Sequence, residues 1–413
     1  MKKIVALLFM YAGLSFASMI GLEALGEEQV MGGMVSAAGR GFAGNAKTGD
    51  AEGLSVINPA RLAFDSKVVF NLNFALELDE AKKSGHHYSF SNISMPSFNL
   101  SFPMADWGAM GISLWQHFSS SLKEDYSSKE SSSDVQVEYQ GSVYELVPAY
   151  AVRLPFFRSF SLGASAHFVM GNTSRSLKLG GDKSGLASED TWAAGNYQIS
   201  DYVDGTWEIK NHPAYYTGAL QYRGKQVSYF FSYTTGYTLQ NTLDYNFRFS
   251  ELDTLEATRY TREIDVPALL ATGINYRLAK RHNIMLDFTW RVWDDDIENI
   301  AGGWNIPLST ETQKDMMVSL GYQCDGSPLF YESYLKRINY RAGAWFRSWY
   351  IKDVFEVGGS LGSGFPLGRK GTTLDIALQG GKRFADTDSQ WEELFLGLRV
   401  GLSGIATWGQ ERR

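Results

Sequence analysis

The chain holds one cysteine, Cys324, and ten prolines in 413 residues. A lone thiol excludes an internal disulfide framework and a cysteine-rich zinc site. An excess of basic charge is also missing: 38 Lys and Arg face 45 Asp and Glu, for a formal net charge of −7. A nucleic-acid partner, which needs a basic face, is therefore not expected. Beyond residue 18 no run approaches the length of a membrane-crossing helix, roughly 20 apolar residues. Against these absences stand 14% aromatic residues and 42 glycines. So many rings exclude long disorder, yet the mean hydropathy is −0.21. Alternation resolves the tension, because a chain apolar at every second position has many rings and no apolar run.

The first residues carry Lys2 and Lys3, an apolar stretch from Ile4 to Leu14, and small residues at Ser15 and Ala17. This order is that of a secretory signal peptide cut after Ala17. Residues 1–17 are expected to be that leader, and the mature chain to be exported.

From Lys67 the pattern changes to period two. Val68, Phe70, Leu72, Phe74, Leu76 and Leu78 fall on one face, with Asn71, Asn73 and Glu77 on the other. Met110, Ile112, Leu114 and Phe118 continue the pattern across Gln116, as do Phe160, Leu162, Ala164, Ala166, Phe168 and Met170. Later come Val266, Leu270, Ile274, Tyr276 and Leu278, then Ile284, Leu286, Phe288 and Trp290, and finally Leu394, Leu396, Leu398, Val400 and Leu402. Aliphatic and aromatic residues one way, small and polar ones the other, suit a lipid-facing wall around a polar lumen. About fourteen strands are expected, since short connections near 104–107, 155–159, 223–226, 279–283 and 367–371 alternate with long ones near 79–95, 119–140, 172–205, 238–262 and 294–313. The connection at 323–336 is long where a short turn is due. The expected architecture is an all-β transmembrane antiparallel barrel over residues 65–413, preceded by an N-terminal plug over 18–64.

That plug segment does not alternate. It has Gly39-Arg40-Gly41-Phe42-Ala43-Gly44-Asn45-Ala46 and then Asn58-Pro59-Ala60. Glycines permit tight reversals and close packing. Asn58 before Pro59 is a helix start, with Asn58 as N-cap and Pro59 at the first helical position. Val35, Phe42, Leu54, Val56, Ile57, Leu62 and Phe64 supply too much apolar surface for a flexible linker.

Here the run from Gly39 to Ala46, with Asp50 and Asn58-Pro59-Ala60-Arg61-Leu62, resembles the N-terminal hatch of the FadL/TodX family of outer-membrane transporters. Arg61 replaces the glycine common in that motif. Gly364 to Arg369, Thr373 to Leu378, Gly380 to Arg383 and Leu396 to Leu402 resemble the Bacteroidota and Fibrobacterota branch that includes PorV-like proteins. The resemblance implies a fourteen-stranded barrel in a Gram-negative-type outer membrane, surrounded by lipid and lipopolysaccharide. It also implies passage of hydrophobic small molecules, fatty acids or hydrocarbons, through a plug-gated lumen. Asn58, Pro59 and Ala60 would set the hatch conformation, and Phe42, Val56 and Ile57 would be its apolar contacts. The alternative implied by the C-terminal likeness is a barrel that docks protein partners in type IX secretion.

No motif speaks for an enzyme, a cofactor or a metal. The chain has no Gly-x-Ser-x-Gly elbow, His-Glu-x-x-His or phosphate-binding loop. His86-His87 lacks a third ligand nearby, and His117, His167, His212 and His282 are scattered in sequence. Asp294-Asp295-Asp296 with Glu298 lacks calcium-loop spacing and reads as a solvated acidic loop. The short turns collect basic residues: Arg153 and Arg158, Arg223 and Lys225, Lys280 and Arg281, Arg369 and Lys370, and Arg412 and Arg413.

Overall fold

The structure, a computed structural model, describes residues 27–29, 34–49, 53–83, 86–105, 107–119, 122–127, 134–179, 201–209, 211–248, 258–293, 312–368, 371–385 and 391–406. The leader at 1–17, the acidic run at Asp294–Asp296 and the basic pairs Arg369-Lys370 and Arg412-Arg413 lie outside the described residues.

Fourteen antiparallel strands form a closed barrel. They are β1 (Val68–Lys83), β2 (His86–Ala105), β3 (Gly108–Ser119, continued by Leu122–Ser127), β4 (Asp134–Arg153), β5 (Phe160–Leu179), β6 (Asp201–Ile209 and Ala214–Arg223), β7 (Val227–Thr234 and Tyr237–Arg248), β8 (Thr258–Val266 and Leu269–Ala279), β9 (His282–Arg291), β10 (Asp315–Cys324), β11 (Asn339–Ser348), β12 (Val354–Leu367), β13 (Thr372–Ala385) and β14 (Glu392–Ala406). Each pairs with its sequence neighbour, and β14 closes the ring on β1, from Ala406 opposite Val68 to Glu392 opposite Lys82.

Alternation decides which side faces lipid. Leu78, Leu286, Leu320 and Leu396 are exposed outward, whereas Asn71, Asn73, Asp287, Ser319 and Gln379 are buried inward. With no water in the hydrocarbon core, every backbone group of the wall must pair within it, which closure achieves.

Strand length varies around the ring. β9, β10 and β11 have 10 residues each, about 33 Å of chain, which at a tilt near 40° rises about 25 Å, the height of the apolar band. β4 and β5 have 20 residues each, about twice that rise. The excess stands on the side of the long connections, the outside of the cell in such barrels. There the upper parts of β3 to β8 continue as one sheet.

The wall is also split. β2 pairs with β3 only as far as Ser97 opposite Trp115. Above that level β2 is paired with β1 and β3 with β4, with no further pairing between them among the described residues. Glu27 and Glu28 enter this seam and pair with Ser119 and Phe118 of β3.

Three expectations need correction. The connections expected at 79–95 and 119–140 are mostly strand: hydrophilic sequence pairs as well as apolar sequence once the backbone is above the lipid. Phe118 does not continue the lipid face. A register shift between Gln116 and Phe118 turns its ring inward, where it is fully buried. Val266 is likewise inward and buried, because Pro267 interrupts β8 and resets the alternation. The long connection at 323–336 is real and contains a short helix, α1 (Tyr334–Arg337).

Candidate functional site

The lumen is filled in three layers. On the outer side Trp349, Tyr350, Ile351 and Trp391 pack with Phe118, Tyr215, Leu239, Ile264 and Val266. In the middle, Val35, Phe42, Val56 and Ile57 of the N-terminal inner segment meet Trp115, Phe230, Met317, Trp345 and Phe395 of the wall. On the inner side Leu54, Leu62 and Ala63 pack on Ala109, Ala149 and Ala151.

Polar pairs tie the inner segment to the wall at every level. Arg383 of β13 reaches five carboxylates: Glu27 at 2.8 Å, Glu77 at 2.9 Å, Asp79 at 3.2 Å, Glu356 at 3.0 Å and Glu393 at 2.5 Å. Glu28 pairs with Arg347 and lies 3.0 Å from Arg291. Asp287 of β9 accepts three hydrogen bonds, from the backbone of Gly44 and Asn45 and the amide of Asn45. Arg40 donates to Gln323 at 2.8 Å. Buried charges are expensive unless paired and hydrogen-bonded, so these contacts fix the segment's position strongly.

Backbone contact does the same. A Cβ at Gly343 of β11 would meet the carbonyl carbon of Arg40 at 2.0 Å, and one at Gly163 of β5 would meet the nitrogen of Ala60 at 2.2 Å. The segment therefore rests directly on the wall's main chain at two far-apart strands.

Asn58, Pro59, Ala60, Phe42, Val56 and Ile57 all lie in this inner segment. Asn58 is fully buried and precedes a 3₁₀ helix, Pro59–Phe64. It does not cap that helix with its side chain. Its amide instead donates to Asn45 O at 2.8 Å and to Gln221 Oε1 of β6 at 2.5 Å. Ser161 of β5 donates to Ala60 O at 2.8 Å, beside Pro59. Phe42 has φ of 67° and packs edge-on against Trp345, with ring centroids 5.0 Å apart. Arg61, the departure from the hatch motif, is buried and donates twice to Gly53 O, at 3.1 and 2.8 Å. Two turn arginines, Arg153 and Arg223, lie over the Phe64 ring, and Arg153 donates to Ala63 O at 2.6 Å.

Val56 and Ile57 line a cavity of about 60 Å³, shared with Glu28, Gln29, Trp115, His117, His167, Tyr215, Arg291 and Arg347 among others. Part of its wall is thus the inserted strand at the seam. Beside it lies a cluster that the sequence did not suggest: Glu145 of β4 accepts from His117 of β3, from His167 of β5 at 2.9 Å and from the Tyr215 hydroxyl at 2.5 Å. Adjacent strands and period-two faces bring these groups together, although 50 residues separate the two histidines in sequence. Ser165 Oγ lies 3.1 Å from His167 Nε2, a serine–histidine–glutamate order. Thr217 Oγ1 shares that nitrogen at 2.9 Å, and Ser165 lies outside the cavity wall. The order is that of a hydrolase triad; Ser165 is buried and is hydrogen-bonded within the cluster. Among the described residues no group of His, Cys, Asp and Glu is placed to hold a metal ion.

A family model for BamG matches residues 24–413. The chain belongs to the BamG family. No curated protein matches. Among solved structures, a FadL homologue from Pseudomonas aeruginosa aligns with a TM-score of 0.61 at 15% identity, over 93% of this chain and all of that one. The Pseudomonas putida toluene transporter TodX aligns at 0.56 and 14%, over 93% of this chain and all of its own. The Ralstonia pickettii toluene transporter TbuX aligns at 0.51 and 15%, over 94% and 100%. At these identities the likeness shows the fold alone: this BamG-family chain has the fold of a FadL-like β-barrel.

Proposed function

We propose that this BamG-family barrel serves outer-membrane assembly by docking protein partners, with its lumen kept shut by a fixed hatch. The observation that carries the reading is the inner segment's attachment. Ion pairs, hydrogen bonds and main-chain contact hold it on β5, β6, β9, β11, β12 and β13, and the cavity beside Val56 and Ile57 measures about 60 Å³. Pockets that hold drug-sized ligands have about 300–1,000 Å³. The family name points to an assembly context, and the tall sheet of β3 to β8 gives a partner a rigid surface outside the membrane. Removal of residues 1–17 on export belongs to this reading. Depleting the protein should lower the amounts of other outer-membrane barrels, and shortening β4 and β5 by deleting 136–139 and 175–178 should do the same without unfolding the barrel. Normal levels in both strains overturn it.

A second reading is transport of fatty acids or hydrocarbons past the hatch. One observation favours it: the cavity lies behind the seam between β2 and β3, where the described wall has no ladder above Ser97 and Trp115. A solute could leave sideways there once Glu27–Gln29 moved. Liposomes containing the protein should then take up toluene or a long-chain fatty acid faster than empty ones, and Ile57→Trp, which fills the cavity, should remove the difference. Equal rates in both kinds of liposome dismiss transport. In the docking reading the partner belongs to assembly rather than to type IX secretion.

A further inference from the structure

The short-turn end of the barrel carries one connection out of scale with the rest, residues 325–338 between β10 and β11. It is anchored: Gly326 N donates to Asn339 Oδ1 at 2.8 Å, and Ser327 N to Lys336 O at 2.8 Å. Yet it exposes Phe330, Tyr331 at 84%, Tyr334 and Leu335 at 68%, a concentration of apolar surface that a turn in water would not keep.

Its position explains the exposure. Tyr340 stands on the lipid-facing side of β11, and its hydroxyl donates to Leu335 O at 3.0 Å. The Tyr334 hydroxyl reaches Pro366 O of β12 at 3.5 Å. α1 therefore lies on the outer flank of the wall and not across the lumen. Tyr276 of β8 and Tyr322 of β10 stand close to the same edge, bonded to Gln226 and His282. Rings of Tyr and Trp mark the two membrane–water boundaries of such barrels, so α1 lies at the headgroup level of the inner leaflet.

The same flank carries cations. Arg337 lies over the Phe330 ring at 5.0 Å and the Tyr334 ring at 5.9 Å, and donates to Gly368 O at 3.4 Å. Arg281, from the neighbouring turn, donates to Lys336 O at 3.4 Å. The Lys336 side chain is exposed. The connection holds two carboxylates, Glu332 and Asp325, and Asp325 is already engaged by Asn283, Gln323 and Lys47. Stacking leaves a guanidinium's remaining N–H groups available to a phosphate, which it can bind through two parallel bonds.

The geometry points to a binding site for an anionic glycerophospholipid of the inner leaflet. Its phosphate sits on Lys336, Arg337 and Arg281, and its acyl chains lie along Phe330, Tyr331 and Leu335. Charge and apolar surface coincide there as they do in interfacial amphipathic segments.

The test uses the purified full-length protein in neutral detergent, with phosphatidylglycerol or phosphatidylcholine added and bound lipid counted by native mass spectrometry. Wild type should retain phosphatidylglycerol in preference to phosphatidylcholine. Lys336→Ala and Arg337→Ala should each weaken that retention by about tenfold, and Arg158→Ala, on another turn, should not. If Arg337→Ala loses the heat-modifiable mobility of a folded barrel, Lys336→Ala carries the test, because its exposed side chain supports no packing. Equal retention by wild type and Lys336→Ala overturns the site, as does an equal fall in Arg158→Ala. So does capture of an acidic peptide in place of lipid, which would make this flank a protein interface.

Discussion

The amide of Asn58, in the inner segment, donates to Gln221 Oε1, on β6, at 2.5 Å, while Gln221 Nε2 donates back to Ala46 O at 2.9 Å. The pair stitches the wall to two points of the inner segment that lie 12 residues apart in sequence. Asn58→Ala should leave Gln221 and Asn45 O short of a donor, costing about 1–3 kcal/mol. The expected readout is faster proteolysis between residues 34 and 64 with the barrel still folded. An unchanged cleavage rate would show that the pair holds nothing.

Arg383 is the shared cation of five carboxylates. Arg383→Met should be among the most damaging single changes, at 3–5 kcal/mol or more, because it leaves buried anions unpaired. Glu27→Gln removes one partner of the five and should cost clearly less. Midpoints of unfolding in guanidinium, compared between the two variants, check the order.

Wall glycines can be sorted by what lies against them. Gly343→Val and Gly163→Val push a side chain into the inner segment's backbone at 2.0–2.2 Å and should lower stability by about 1–3 kcal/mol or more. Gly218→Ala meets nothing within 4 Å and should stay near wild type. Equal effects at all three positions would mean that the inner segment does not rest on the wall.

The cavity makes a separate prediction. Ile57 lines it, so Ile57→Phe has room for its extra atoms and should change the unfolding midpoint little. Ala60→Phe, at a fully buried position against β5, should be strongly destabilising through overpacking. A reversal of that order would place the free volume elsewhere.

Much of this architecture was legible in the sequence because lipid imposes period two. The apolar faces of β1, β5, β9 and β14 stand where their aliphatic residues predict, and closure follows from the need to pair every backbone group. Phe118 and Val266 were misread because a bulge and a proline each shift alternation by one residue, which no count of apolar positions registers. The outward extensions of β2 to β8 were hidden for another reason: above the membrane a paired strand needs no apolar face, so its sequence resembles a loop. The residues of the inner segment can be listed from the sequence, but their partners cannot. Asn58 reads as a helix cap until Gln221, 163 residues away, is seen to claim its amide. His117 and His167 look scattered until Glu145 on the strand between them is placed.

The unequal wall has a further consequence. β4 and β5 rise high on the side of the long connections, while β9 to β11 barely clear the apolar band and carry the 325–338 connection at their opposite end. The barrel is therefore not a featureless cylinder in the plane of the membrane but has a bearing, like a compass card. A neighbour drifting sideways meets a parapet from one azimuth and a low sill from the other, so any complex built around it inherits a fixed front and back.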